Sequence, residues 1–326
     1  MLLHNIDDIT TLHAAPIFMS PRTLEYRGLW LGFAGVAIFS LTFPFTRLAV
    51  AELDASFVAL GRAVLAAPLA FALLVARGAL RRTRLPRGAQ WWRLAGTALG
   101  VVVGFPLASS WALRDVPAAY GGIVVGLLPL GTAAFGALLA RERPALAFWV
   151  SAVTGSAMVL VFATWHGGGA LRPADWLLFV AVFFGAFGYA EGGKLARELG
   201  GPETISWALL ISLPILLPIV GGLAWTQADR LAQASSYAWL GLGYVTVFSS
   251  FVGFQFWYRG LALGGIARVS QIQLLQPFMT LAGGWLMLGE PMDGTTILFA
   301  LAVIAVVAAG RRAPVAPTPP ATASPP

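Results

Sequence analysis

Few side chains in this 326-residue sequence can do chemistry, and nearly all of them sit within long apolar stretches. Glu191 lies in one stretch with Lys194 a turn further on, a spacing that permits a local ion pair or, for an acid placed within a membrane, proton exchange. Arg62 falls inside another stretch, where it can snorkel outward or bind backbone carbonyls. Gln271, Gln273 and Gln276 need hydrogen-bond partners in lipid, which a neighbouring helix or the carboxylate or ammonium of a solute can supply. Ser249 and Ser250 mark the midpoint of a further stretch and can serve a solute or bond their own helix. Phe43 and Tyr189 can stack on an apolar solute or attract its ammonium group. Trp111, Trp257 and Tyr258, near stretch ends, suit the bilayer interface instead. Pro129 and Pro277 each free a carbonyl near mid-stretch, available either to a solute or simply to a kink, whereas Pro214 and Pro218 read as kinks. The candidate solute-binding set is therefore Phe43, Pro129, Tyr189, Ser250, Gln273, Gln276 and Pro277, with Glu191 and Lys194 as a proton-coupling site or ion pair.

These residues do not make an enzyme. The spans contain no paired aspartates and no serine–histidine couple, and His4, His13 and His166 form no metal cluster. There is no cysteine, which excludes thiol chemistry, and no GxxxxGK loop, so direct ATP drive within this chain, a cofactor and a metal are not expected. The net charge of +7 suggests no nucleic acid, because the basic residues flank apolar segments and act there as orientation signals.

The elements that must hold these residues follow from composition. Apolar residues make up 58% of the chain and charged residues 11%, against about 25% charged in a soluble protein, so much of the surface must face lipid. About 20 apolar residues cross a hydrocarbon core as a helix. Ten such runs occur, near 29–50, 56–76, 94–113, 118–140, 145–164, 176–196, 205–224, 238–258, 266–288 and 294–310. None alternates as a barrel strand does, so the expected fold is an all-α integral membrane protein with ten transmembrane helices. With the amino terminus inside, sixteen Arg and Lys residues lie near inner ends and only Arg47, Arg114, Arg172 and Arg230 near outer ones. Both termini are therefore expected in the cytoplasm. Arginine outnumbers lysine twenty to one, the usage of a GC-rich bacterial genome, which points to the bacterial inner membrane. Residues 1–28 form a cytoplasmic segment without a signal-peptide pattern, and Met19 opens a more natural start, leaving 1–18 as an expected mis-annotated extension. The proline-rich stretch 311–326 is expected to be a disordered cytoplasmic tail.

The chain also repeats. Pro129 and Glu142 match Pro277 and Glu290 at one offset of 148, Thr132 and Gly136 fall on Thr280 and Gly284, and Arg47 pairs with Lys194 at 147. Each unit, 29–164 and 176–310 about a periplasmic loop at 165–175, holds an odd number of spans, so the second must be inverted relative to the first. Inverted repeats offer two near-equivalent packings about a midplane site, the physical basis of alternating access. At helical spacing the stripe Ser270, Gln273, Pro277, Thr280, Gly284 and its counterpart from Gly122 to Gly136 are expected to face each other across the cavity. Gly185, Gly188 and Gly192 form a face for close helix packing.

Both units resemble the repeat of the EamA-type drug/metabolite transporter superfamily, with its proline-containing fourth helix ending in glycine and glutamate. The second copy keeps that ending as Gly289 and Glu290; the first reads Ala140, Arg141, Glu142. The resemblance spans about residues 28–312 and implies a ten-helix exporter of small metabolites, often amino acids, with the YddG-like amino-acid exporters as one branch. A multidrug or other metabolite carrier of the same fold is the alternative, and an intramembrane enzyme a remoter one. The expected partners are a small solute, lipid and, if transport is coupled, protons.

Overall fold

The computed structural model describes residues 21–81, 85–140, 143–144, 146–166, 168–291, 293–311 and 315–316. Apart from one antiparallel two-residue pairing of 143–144 with 315–316, the regular structure among these residues is helical. Seven helical rods are long and apolar enough to cross a membrane: Tyr26–Val50, Ala55–Ala76, Ala89–Ala112, Ala118–Leu139, Pro173–Leu199, Gly201–Thr226 and Ser236–Gly264. Three shorter apolar helices, Val153–His166, Ile272–Leu288 and Gly294–Val306, occupy the other expected places. The 22 residues of Ala55–Ala76 reach about 33 Å at 1.5 Å per residue, enough for a hydrocarbon core. The outward faces carry large apolar side chains, Leu138, Val153, Ile215, Leu286 and Leu298 among them, as a lipid-facing surface requires.

Several rods are broken, and the breaks recur. The first is α1 (Pro21–Ser40) and α2 (Thr42–Val50), separated by a turn at Leu41. It is followed by α3 (Ala55–Ala76), which Asp54 caps by accepting from the N–H groups of Ser56 and Phe57 at 2.9 and 3.0 Å. The third rod joins α4 (Ala89–Thr97) to α5 (Phe105–Ala112) through a π-helical stretch, Ala98–Gly104. The fourth is α6 (Ala118–Val125) and α7 (Leu128–Ala140), followed by α8 (Leu146–His166). The second half begins with α9 (Pro173–Leu199), α10 (Gly201–Thr226) and the short α11 (Ala228–Gln233). There α12 (Ser236–Tyr244) and α13 (Phe254–Gly264) flank a second π-helical stretch, Val245–Gly253, at the position equivalent to the first. Then come α14 (Ile266–Val269), a 3-10 turn (Ser270–Leu275), α15 (Gln276–Leu288) and α16 (Gly294–Arg311). Pro129 and Pro277 each stand second in the helix that resumes after a break, where a missing N–H costs least.

The fourth rod packs antiparallel on its counterpart in the second half. The start of the fourth rod, α6, lies on α15, while its end, α7, lies on α14 and the 3-10 turn. Likewise α1 packs on α13 and α2 on α12, while α9 runs along α4, the first π stretch and α5. Each half thus docks its first rod into the other half's third. The contact is close because it is made of glycine: a Cβ on Gly100 would stand 2.6 Å from Gly188 Cα and 2.8 Å from the Phe184 carbonyl oxygen. Residues 1–20, Glu142 and all of the proline-rich tail except 311 and 315–316 lie outside the described residues.

Candidate functional site

The halves meet around a small polar chamber. α3 carries Arg62 into it; the α1–α2 junction contributes Phe39, Thr42 and Phe43; α9 contributes Tyr189. The second π stretch adds Ser249, and α15 adds Gln276. π-Helical turns open an α-helix by one residue and recur at functional sites, and here they abut the chamber from both halves, through Val101 and Ser249. The chamber holds about 10 Å³, room for roughly one water, so in this packing it is too small for a solute.

Arg62 is 4% exposed. Its Nε donates to Ser250 Oγ at 2.6 Å and its Nη2 to Ser249 Oγ at 2.7 Å. Ser249 shares a 2.9 Å bond with Thr42, and Ser250 donates to the Val245 carbonyl at 2.9 Å within its own π turn. No carboxylate among the described residues pairs with this guanidinium. Burying an ion costs several kcal/mol, and two hydrogen bonds to a charged donor return about 1.5–3 kcal/mol each. The hydroxyls therefore hold the cation roughly at balance and leave its charge directed into the chamber. Gln276 is 7% exposed with Oε1 unpartnered. An aromatic wall stands beside it: Phe39 lies 4.9 Å from Phe254 and 6.2 Å from Tyr189, and Tyr189 5.4 Å from Trp257, between ring centres.

Both ends beyond the chamber are latched by charge. At one end Glu290 accepts from the N–H groups of Ala118 and Ala119 at 2.8 and 3.0 Å and pairs with Arg47 at 3.4 Å. Arg47 also donates to the carbonyls of Leu113 and Val116. Gly289, in the left-handed conformation at φ 63°, turns the chain into this corner. Gly284 leaves room for the carboxylate, since a Cβ there would come within 2.6 Å of Glu290 Oε2. At the other end Arg93 bonds Glu191 and, at 2.5 Å, Glu198, which also accepts from Gln90. Arg77 pairs with Glu203 at 2.6 Å.

The sequence-derived candidates separate on this map. Phe43, Tyr189 and Gln276 line the chamber, and Ser250 anchors its arginine. Gln273, Pro129 and Pro277 do not line it, because the fourth and ninth stripes pack directly on each other: a Cβ on Gly122 would stand 2.9 Å from the Thr280 side chain, and Pro277 lies against Gly126. The cavity expected between those stripes lies instead among the first, second, third, sixth and eighth rods, with only Gln276, at the start of α15, reaching it from either stripe's helix. Gln273 is 1% exposed with both amide atoms unpartnered. Glu191 pairs across to Arg93 rather than with Lys194, whose Nζ donates to the Leu139 carbonyl at 3.2 Å. Trp257 and Tyr258 are fully buried, not interfacial, because α13 packs inward on α1 and α9; Trp111, 38% exposed, keeps an outer position. Asp175, placed just outside a span by sequence, is fully buried and accepts from Tyr120 at 2.6 Å. Arg62 and the mid-span serines are both visible in the sequence, but no local spacing signals that Arg62 meets Ser249 and Ser250.

The EamA-like transporter family model matches residues 26–164 and again 172–309, one match to each half. The chain belongs to the EamA-like transporter family. The chain is 43% identical over 284 residues to the "Uncharacterized transporter YdeK" of Bacillus subtilis, covering 87% of this chain and 96% of that protein. A "Probable amino-acid metabolite efflux pump" of Salmonella typhimurium is 27% identical over 200 residues, 58% of this chain and 66% of the pump. A solved crystal structure superposes with a TM-score of 0.58 over 88% of this chain and 97% of that one, at 19% identity, which speaks to the fold alone. An EamA-like chain with several apolar membrane-length helices is a multi-pass membrane transporter.

Proposed function

We propose that this EamA-like protein is a secondary transporter that exports small metabolites, foremost amino acids, across the bacterial inner membrane by alternating access. It does so with ten spans in two inverted units, 29–164 and 176–310, and with both termini in the cytoplasm. The observation that carries the reading is the small polar chamber at the junction of the two halves, with a separate charged latch beyond it at each end. Two related packings that break one latch at a time would expose the chamber to each side in turn. Phe43, Tyr189, Ser250 and Gln276 lie on the solute path, and the Arg93–Glu191 end faces the cytoplasm. The likeness to an amino-acid metabolite efflux pump supports the choice of solute class.

The test is counterflow into proteoliposomes containing only this protein, with labelled amino acids as a panel. Saturable, temperature-dependent counterflow of at least one amino acid is the expected result; folded protein that exchanges none refutes the reading. Single cysteines at Leu80 and Ala234, introduced into a chain that has none of its own, should label from opposite sides of the membrane.

A further inference from the structure

We infer that Arg62 is the recognition group for a carboxylate on the transported solute, so that the chamber selects anionic or zwitterionic carboxylates and excludes solutes that are only cationic. The inference rests on the transporter reading and names the chemistry of its site.

Three independent features point there. First, the guanidinium is buried with only two neutral hydroxyls as partners among the described residues. Guanidinium forks match a planar carboxylate through two parallel bonds, and a charged acceptor outbids a hydroxyl. Ser249 and Ser250 thus occupy the position that a carboxylate takes when it enters. Second, Gln276 presents a buried, unpartnered Oε1 to the same chamber. An oxygen acceptor and a fixed cation lining one small space suit a solute carrying a carboxylate and, close by, an N–H donor. Third, the chamber lining contains no Asp or Glu, while Phe39, Tyr189 and Phe254 give it apolar walls. A cation entering without a carboxylate would meet Arg62 unshielded, at a like-charge cost that the Gln276 carbonyl cannot repay. Because Arg62 comes from the first half and Ser249, Ser250 and Gln276 from the second, a carboxylate would also exchange bonds that tie the halves together.

The experiment uses the purified full-length protein in lipid nanodiscs and reads intrinsic tryptophan fluorescence, since Trp257 packs against Tyr189. The probes are L-leucine, L-phenylalanine and L-threonine, each with its amide and its decarboxylated amine, and chloride as a separate arm. At least one acid should bind, and its amide and amine should bind at least 10-fold more weakly, the size expected from losing charge-assisted bonds of about 1.5–3 kcal/mol. Arg62→Gln should erase that preference and Arg62→Lys restore part of it. The acid-against-amide comparison on the unaltered protein needs no variant and stands even if those variants misfold. An amide or amine binding as well as its acid overturns the inference, as does a preference that Arg62→Gln leaves intact. An Arg62-dependent response to chloride alone, or no response to any carboxylate, overturns it too. Arg62-dependent carboxylate binding without counterflow would instead uphold the recognition by Arg62 and refute the transport reading on which its role for a transported solute rests.

Discussion

Removing the carboxylate of Glu290 should open one end of the transporter. In Glu290→Ala the N–H groups of Ala118 and Ala119 lose their acceptor, and loss of a helix N-cap costs about 0.5–2 kcal/mol. The carboxylate also sits at the positive end of α6, worth about 0.3–1 kcal/mol and more where partly buried. Its ion pair with Arg47 adds little, because Arg47 is 34% exposed and the separation is 3.4 Å. Together these favour the closed packing by about 1–3 kcal/mol, provided that the latch exists only when this end is shut. At 1.4 kcal/mol per tenfold, the open population should rise about 5- to 150-fold. Thr46, 1% exposed and one turn from Thr42 along α2, is the reporter. The labelling rate of Thr46→Cys by a membrane-impermeant thiol reagent should rise by that factor in Glu290→Ala and by less in Glu290→Gln, whose amide oxygen can still accept. A folded Glu290→Ala protein labelling at the parent rate would refute the latch.

At the other end, Arg93→Ala strands the 8%-exposed Glu191 carboxylate. It should lower stability by about 2–3 kcal/mol, discounted from the 3–5 of a fully buried pair, and Arg93→Ala with Glu191→Gln should recover more than half in thermal unfolding. Gly100→Ala must push α9 away from the third rod and cost about 1–3 kcal/mol; Gly221→Ala, with nothing near its added Cβ, should cost nothing measurable in the same assay. Glu52 accepts from the Ser235 hydroxyl and N–H, both at 2.6 Å. The hydroxyl first, then the backbone bond, hold its carboxyl below the usual range. A lowered folded value means that the clamp on the 227–235 loop is in force above the ordinary carboxyl pKa and is lost as pH falls through the lowered one. Hydrogen-exchange protection of that loop should therefore differ between the parent and Glu52→Gln near neutral pH and converge in acid; a constant difference would refute the clamp.

Length and hydropathy alone placed the helical rods, because lipid tolerates backbone only where its hydrogen bonds are made within a helix. The repeat was legible for a similar reason. Pro129 and Pro277 each restart a helix after a break, a local backbone demand that leaves a fixed residue type at a fixed spacing. Partnership across rods was not legible. Glu191 had Lys194 within reach on its own helix, yet Arg93, 98 positions earlier, took the carboxylate. The stripes through Pro129 and Pro277 had the look of a cavity lining but closed on each other, since residues small enough to border a pocket are also small enough to remove it. Arg62 acquired its meaning only when packing brought Ser249 and Ser250 to it from 187 and 188 residues away. A sequence fixes what each helix must bury; which buried charge meets which partner is set by the register between helices, a property of the folded whole.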